Sequence, residues 1–139
     1  MDEVRFSSLI VEEIVKALAF LVRKHGFTGP EIETIFPERS VGYRSPTFAL
    51  TVIYEYGGWP RFHYDWKTTL GTWHQGYLEK LISDRAPKMT PPGPASRSLE
   101  EMRVWIQFYA RAFQTVCADI LAGECKSVAR RSRTKGKRR

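Results

Sequence analysis

The stretch Phe48–Trp66, FALTVIYEYGGWPRFHYDW, decides how the rest of the chain is read. Phe48, Leu50, Val52, Tyr54 and Tyr56 alternate with Ala49, Thr51, Ile53 and Glu55, and successive side chains of an extended strand point to opposite faces. The first set is strongly apolar and the second mixed, as suits a half-buried strand. Gly57-Gly58 offers the positive φ that a tight turn requires. Trp59-Pro60 lengthens the connection to four or five residues and leaves Pro60, which has no amide to donate, at the start of the returning strand. In that return Phe62, Tyr64 and Trp66 share one face and Arg61, His63 and Asp65 the other. The pattern predicts an antiparallel hairpin with one apolar face for helices to cover.

Two helical patterns are placed to cover it. Between Val4 and Val22 the residues Phe6, Ile10, Ile14, Ala17, Leu18 and Leu21 recur at steps of three and four, the spacing of one helix face. Asp2 and Glu3 at its start and Arg23, Lys24 and His25 at its end complement the helix dipole. Gly26 then supplies a left-handed stop, after which Phe27 packs back onto the last turn. Near the other end, Ser98-Leu99-Glu100-Glu101 has the spacing of a capping box. Met102, Trp105, Ile106, Tyr109, Phe113, Val116, Cys117, Ile120 and Leu121 follow as a broad apolar stripe that Gly123 ends. Aromatic residues on such a stripe are read as sheet-packing core rather than a ligand box.

The segments between are less regular. Gly29-Pro30 opens a turn, Ile32, Thr34 and Phe36 alternate with Glu33 and Ile35, and Pro37 and Pro46 interrupt, so Thr28–Pro46 is expected to be irregular with one or two short strands, including Val41–Arg44. Leu70, Trp73, Tyr77, Leu78, Leu81 and Ile82 fall at helical spacing, with Thr69 or Thr72 as N-cap, and predict a short helix from about Trp73 to Ser83. Pro87, Pro91, Pro92 and Pro94 make the next segment a surface connector. The fold class expected is α+β: a small antiparallel sheet of three or four strands packed by an N-terminal helix and a long C-terminal helix, with a short helix between.

A chain of 139 residues fits one domain, which at this size buries roughly 65–70% of the surface its unfolded chain exposes. Residues 1–125 are expected to form it and residues 126–139 to be a disordered basic tail. Ala17–Val22 is the longest apolar run, far short of the ~20 residues that cross a bilayer, and Asp2 and Glu3 stand where a secretory signal wants positive charge. A cytoplasmic protein without a membrane span is expected. The formal charge of +7 is misleading as an average, because 8 of the 22 basic residues are Lys126, Arg130, Arg131, Arg133, Lys135, Lys137, Arg138 and Arg139, with no acidic residue among them. The other 125 residues carry a net charge of −1. Nucleic-acid or anion binding therefore belongs to the tail; eight phosphate contacts on duplex DNA would give a salt slope near −7. The body offers no basic groove to set register, and the tail equally suits a solubilising extension or a nuclear-import signal in a eukaryote.

Catalytic chemistry finds little support. Cys117 and Cys125 stand eight residues apart, about 12 Å along a helix, which is too far for a disulfide and suits a reducing compartment. His25, His63, His74 and the cysteines form no CxxC or HxxxH pair, so no metal or other cofactor is expected. No GxGxxG or GxxxxGK[ST] loop occurs. His63 and Asp65 with Cys117 or Tyr64 contain the ingredients of a base, an orienting carboxylate and a nucleophile, but spacing alone does not assemble them. The aromatic residues from Tyr43 to Tyr77 are too many for a core of this size, and Trp, Tyr and Arg dominate interface hot spots. Trp59, Arg61, His63 and Asp65 are accordingly the expected contacts for a protein partner, with Trp59 either standing out from the turn as an anchor or folding over the hairpin.

Lys24-His25-Gly26-Phe27 at the first helix end, the aromatic meander Phe48–Trp66 and Asp119-Ile120-Leu121-Ala122-Gly123-Glu124 at the last helix end together carry a resemblance. Over about residues 4–124 the chain resembles small uncharacterised bacterial α+β proteins, some of which act as immunity proteins beside toxin genes; the basic tail departs from that pattern. The resemblance implies a protein that masks a toxin or other partner and performs no chemistry of its own.

Overall fold

A computed structural model describes residues 2–93 and 96–124. Helix α1 (Glu3–Ala17) opens on Asp2, whose carboxylate accepts the Arg5 amide at 2.8 Å. The single helix expected from Val4 to Val22 is instead broken at Leu18, which leaves helical geometry at φ −101° and ψ 10°, and α2 (Ala19–His25) resumes beyond it. Leu18 is fully buried, and the break lets Phe20, Leu21 and then Phe27 face the same core as Ile10 and Ile14. Gly26 has φ 72°, and the Phe27 amide closes onto the Leu21 carbonyl at 3.0 Å.

Five strands follow: β1 (Thr28–Ile35), β2 (Glu38–Arg44), β3 (Phe48–Glu55), β4 (Arg61–Lys67) and β5 (Trp73–Tyr77). They lie in sequence order, every neighbour antiparallel, so the sheet is a simple meander and exceeds the three or four strands expected. The full length of β1 and the presence of β5 each have a local cause. In the segment expected to be irregular, Pro30 sits at a bulge where the β1–β2 register shifts between Thr28 and Glu31, and Pro37 sits in the turn between β1 and β2. Neither position asks proline for a ladder amide. The bulge needs glycine, because Gly29 has φ 126° and a Cβ there would come within 2.6 Å of the Gly42 carbonyl oxygen. In the segment expected to be helical from Trp73, Thr68 builds a turn instead. Its amide donates to the Thr72 carbonyl at 2.8 Å, its hydroxyl accepts the Thr72 amide at 3.2 Å, and Gly71 has φ 90°. That turn sets Trp73 opposite Lys67, and the helix α3 begins only at Leu78 (Leu78–Arg85). Gly76 fits opposite Tyr64 because a Cβ on it would stand 2.5 Å from the phenol oxygen.

All the helices lie on one side of the sheet, with α4 (Leu99–Val116) between α1 and α3. The strand residues beneath them are the apolar set read from the alternation: Phe48, Leu50, Val52 and Tyr54 on β3, with Val41 and Tyr43 on β2 and Phe62 and Trp66 on β4. Phe113 stacks on Phe48 and Tyr109 meets Phe62, with ring centroids 5.7 and 5.6 Å apart. The Ser98 hydroxyl accepts the Glu101 amide at 3.2 Å, whereas the Glu101 carboxylate reaches the Ser96 amide rather than that of Ser98. At the far end of α4, Arg85 from α3 holds Asp119 through two hydrogen bonds of 2.8 and 3.3 Å and donates to the Val116 carbonyl at 3.2 Å. Asp119 stands in α5 (Ala118–Leu121), so this part-buried pair clamps α3 to the end of the helical layer. Cys117 is buried at the α4–α5 junction; Cys125 and the whole basic segment 126–139 lie outside the described residues. No described helix is long and apolar enough to cross a membrane.

Candidate functional site: the uncovered sheet face

Every second strand residue points away from the helices, and no described helix or strand packs on that side. Strand register turns these positions into rows. One row crosses the sheet as Glu31, Gly42, Thr51, His63 and Tyr77, a second as Glu33, Ser40, Ile53 and Arg61, and a third as Arg44, Ala49, Asp65 and Gln75. Gly42, Ser40, Ala49 and Thr51 make a low central floor, with the carboxylates of β1 on one side and the Arg61, His63 and Tyr77 side chains on the other. The His63 ring meets Tyr77 edge-on, with centroids 5.5 Å apart at 75°. At the β3–β4 hairpin end the surface opens into a shallow cleft of about 410 Å³ between Ile53, Glu55, Tyr56, Trp59 and Arg61.

Arg61, His63 and Asp65 thus share one face, as the alternation required. Trp59 stands apart from them. It is half-buried against Trp105, ring centroids 5.0 Å apart, and the Trp105 indole Nε1 donates to the Pro60 carbonyl at 3.0 Å. The hairpin tip is therefore folded over onto α4, and Trp59 contributes only a border of the cleft. The sheet also separates the groups considered for catalysis. Tyr64 stacks on Phe48 at 5.4 Å on the helical side and Cys117 is buried beneath the helices, whereas His63 and Asp65 face outward. No group of three or more metal-ligating side chains comes together among the described residues. The tail positions from Lys126 to Arg139 lie outside them.

Sequence reasoning missed the group that ends the sheet. The Phe62 amide points toward β5, but the chain has already turned into α3 there, and the Glu79 carboxylate takes the place of the absent strand by accepting that amide at 3.1 Å. Its other oxygen is buried without a hydrogen-bond partner, and burial pushes the Glu79 carboxyl above its ordinary value despite the hydrogen bonds and Arg61 charge that favour ionisation. Burial also raises the Tyr109 phenol to about 12, with the Glu79 charge adding to the effect. Nothing local distinguishes Glu79, since a glutamate in the first turn of a helix already has a reason to be there.

These features define a class: a two-layer α+β protein whose meander sheet is packed on one face and left open on the other. Compared with family models, curated proteins and solved structures, the chain matches none.

Proposed function

We propose that the chain is a non-catalytic protein-binding module that works from the open sheet face in the cytoplasm, masking a toxin or another partner in the manner of an immunity protein. The observation that supports this reading is the flat array itself. Small residues at Gly42, Ser40, Ala49 and Thr51 let a partner approach the strands, and Arg61, His63, Asp65 and Tyr77 supply charge and aromatic contact beside them. The rival reading, a nucleic-acid-associated protein, rests on the eight basic residues of segment 126–139.

Two variants of the full chain separate the readings. Thr51→Arg raises a bulky charge from the centre of the open face, and deletion of 126–139 removes the basic residues. Co-expression with the product of a neighbouring toxin gene, read as growth rescue and co-purification, should be lost in the first variant and kept in the second. The opposite result, with salt-sensitive DNA binding lost on deletion, replaces this reading with the nucleic-acid one.

A further inference from the structure

The two edges of the sheet are built differently. Edge β1 carries Pro30, a bulge, and Glu31 and Glu33, all of them devices that discourage another strand from pairing. Edge β5, Trp73-His74-Gln75-Gly76-Tyr77, has no proline, no bulge and no charged residue, and Trp73 and Tyr77 are each 47% exposed.

Backbone direction on β5 follows from the hydrogen bonds around β4. Lys67 donates to the Thr47 carbonyl at 2.9 Å, so the odd-numbered residues of β4 bond toward β3 and the even-numbered ones toward β5. The Phe62 amide reaching Glu79 and the Thr68 amide reaching Thr72 agree with that alternation. Tyr64 and Trp66 therefore use up the inward groups of their partners Gly76 and His74. The amides and carbonyls of Trp73 and Gln75 and the amide of Tyr77 point to the outer edge, whereas the Tyr77 carbonyl, at the N-cap of α3, accepts the first bond of that helix.

We propose that a second copy of this chain pairs with this edge, β5 antiparallel to β5 about a two-fold axis at Gln75. In that register Gln75 faces Gln75 of the other copy, and Trp73 faces Tyr77 twice over. The two Gln75 residues then exchange both backbone hydrogen bonds, each Trp73 carbonyl accepts the Tyr77 amide of the other copy, and the aromatic cross-strand pairs fall on the same open face. The same operation applied to β1 about Ile32 would oppose Glu31 to Glu33, a like-charge pair. The result is a ten-stranded sheet whose two open faces run together and whose helices all stay on the other side. Only about five residues a side take part, against 20–30 in a standard interface, so the dimer should be weak, with a dissociation constant on the order of 10–100 μM.

Sedimentation velocity of the full chain from 5 to 500 μM tests this, with a concentration-dependent monomer–dimer equilibrium expected. Gln75→Lys and Gln75→Glu each place like charges across the axis and should weaken association at least tenfold while leaving the melting temperature and circular dichroism unchanged. Mixed together, the two variants should recover a heterodimer, as expected where position 75 faces position 75 across the axis. Glu33→Lys should change nothing. A chain that stays monomeric throughout, or a dimer that survives Gln75→Lys, overturns the proposal; the first outcome would leave the β5 edge to a strand of a different protein.

Discussion

Strand β3 carries two interleaved surfaces with opposite tolerances. Phe48, Leu50, Val52 and Tyr54 are at most 1% exposed beneath the helices, while Ala49, Thr51 and Ile53, one residue away along the same backbone, are half-buried under no other element. The comparison teaches that in this protein a residue's neighbours in sequence say less about its environment than its parity along the strand. A helical layer is committed to one parity, and the other is left for contact with something else.

The largest expected effect tests that division directly. Val52→Asp buries an unpaired carboxylate at a position with no exposed surface and should cost ~4 kcal/mol or more, enough to unfold a domain of ordinary stability. Thr51→Asp, its neighbour on the other face, should cost about 1 kcal/mol or less. Thermal melts of the pair decide the matter, and similar losses at both positions would break the two-face account.

A charge inside the helical layer is tolerated only with its partner, which gives the next test. Arg85→Ala removes a side chain that is 2% exposed from a pair whose other member, Asp119, is 13% exposed, for an expected loss of about 2–3 kcal/mol in urea unfolding. Asp65→Ala on the open face should cost about 0.5 kcal/mol. If Arg85→Ala proves as mild as Asp65→Ala, the clamp between α3 and α5 does not hold the layer together.

The smallest effect sits where the two surfaces meet, at Glu79. Its carboxyl is raised above the ordinary value of 4.5, so the folded state binds its proton more tightly than the unfolded state. The stability it contributes is complete below pH ~4.5 and declines as the pH rises through its raised value. Glu79→Gln keeps an acceptor for the Phe62 amide and should flatten that slope between pH 4.5 and 7.5. Glu79→Leu removes the acceptor as well and should cost ~1–3 kcal/mol below pH ~4.5, a cost that shrinks as the pH rises and the wild-type contribution declines. Urea titrations at four pH values distinguish these, and an unchanged slope in Glu79→Gln would show that another group sets it.

Much of the covered face was legible because burial and period coincide there. Phe48–Trp66 forms the hairpin its alternation predicted, with a five-residue connection from Tyr56 to Pro60, and the stripe from Met102 to Phe113 is core. Strand β5 was read as helix because Trp73, Tyr77 and Leu78 suit a helix period while Trp73, Gln75 and Tyr77 equally suit a strand period; the Thr68–Thr72 turn decides between them by bonding to itself. Strand β1 was legible only in part: Ile32, Thr34 and Phe36 alternate with Glu33 and Ile35, but both sets mix apolar and polar residues along an edge strand exposed over its whole length, so one or two short strands were expected where two full ones form. On the open face, Arg61, His63 and Asp65 could be placed together by parity alone. Their relation to Tyr77 could not, because it depends on the register between β4 and β5. Trp59 was readable only as two alternatives, and Trp105, 46 residues later, chose between them.

The position of α4 also has a consequence for how the chain is made. Strands β1–β5 end at Tyr77, but the rings that seal their apolar face, Tyr109 and Phe113, lie on a helix completed only at Val116. During synthesis the finished meander therefore waits with Phe48 and Phe62 uncovered by α4, for roughly 2–8 s at 5–20 residues per second. For that interval α1 and α3 can cover only part of the apolar face, and a chaperone has a window in which to bind the strip left for α4 that closes when α4 docks.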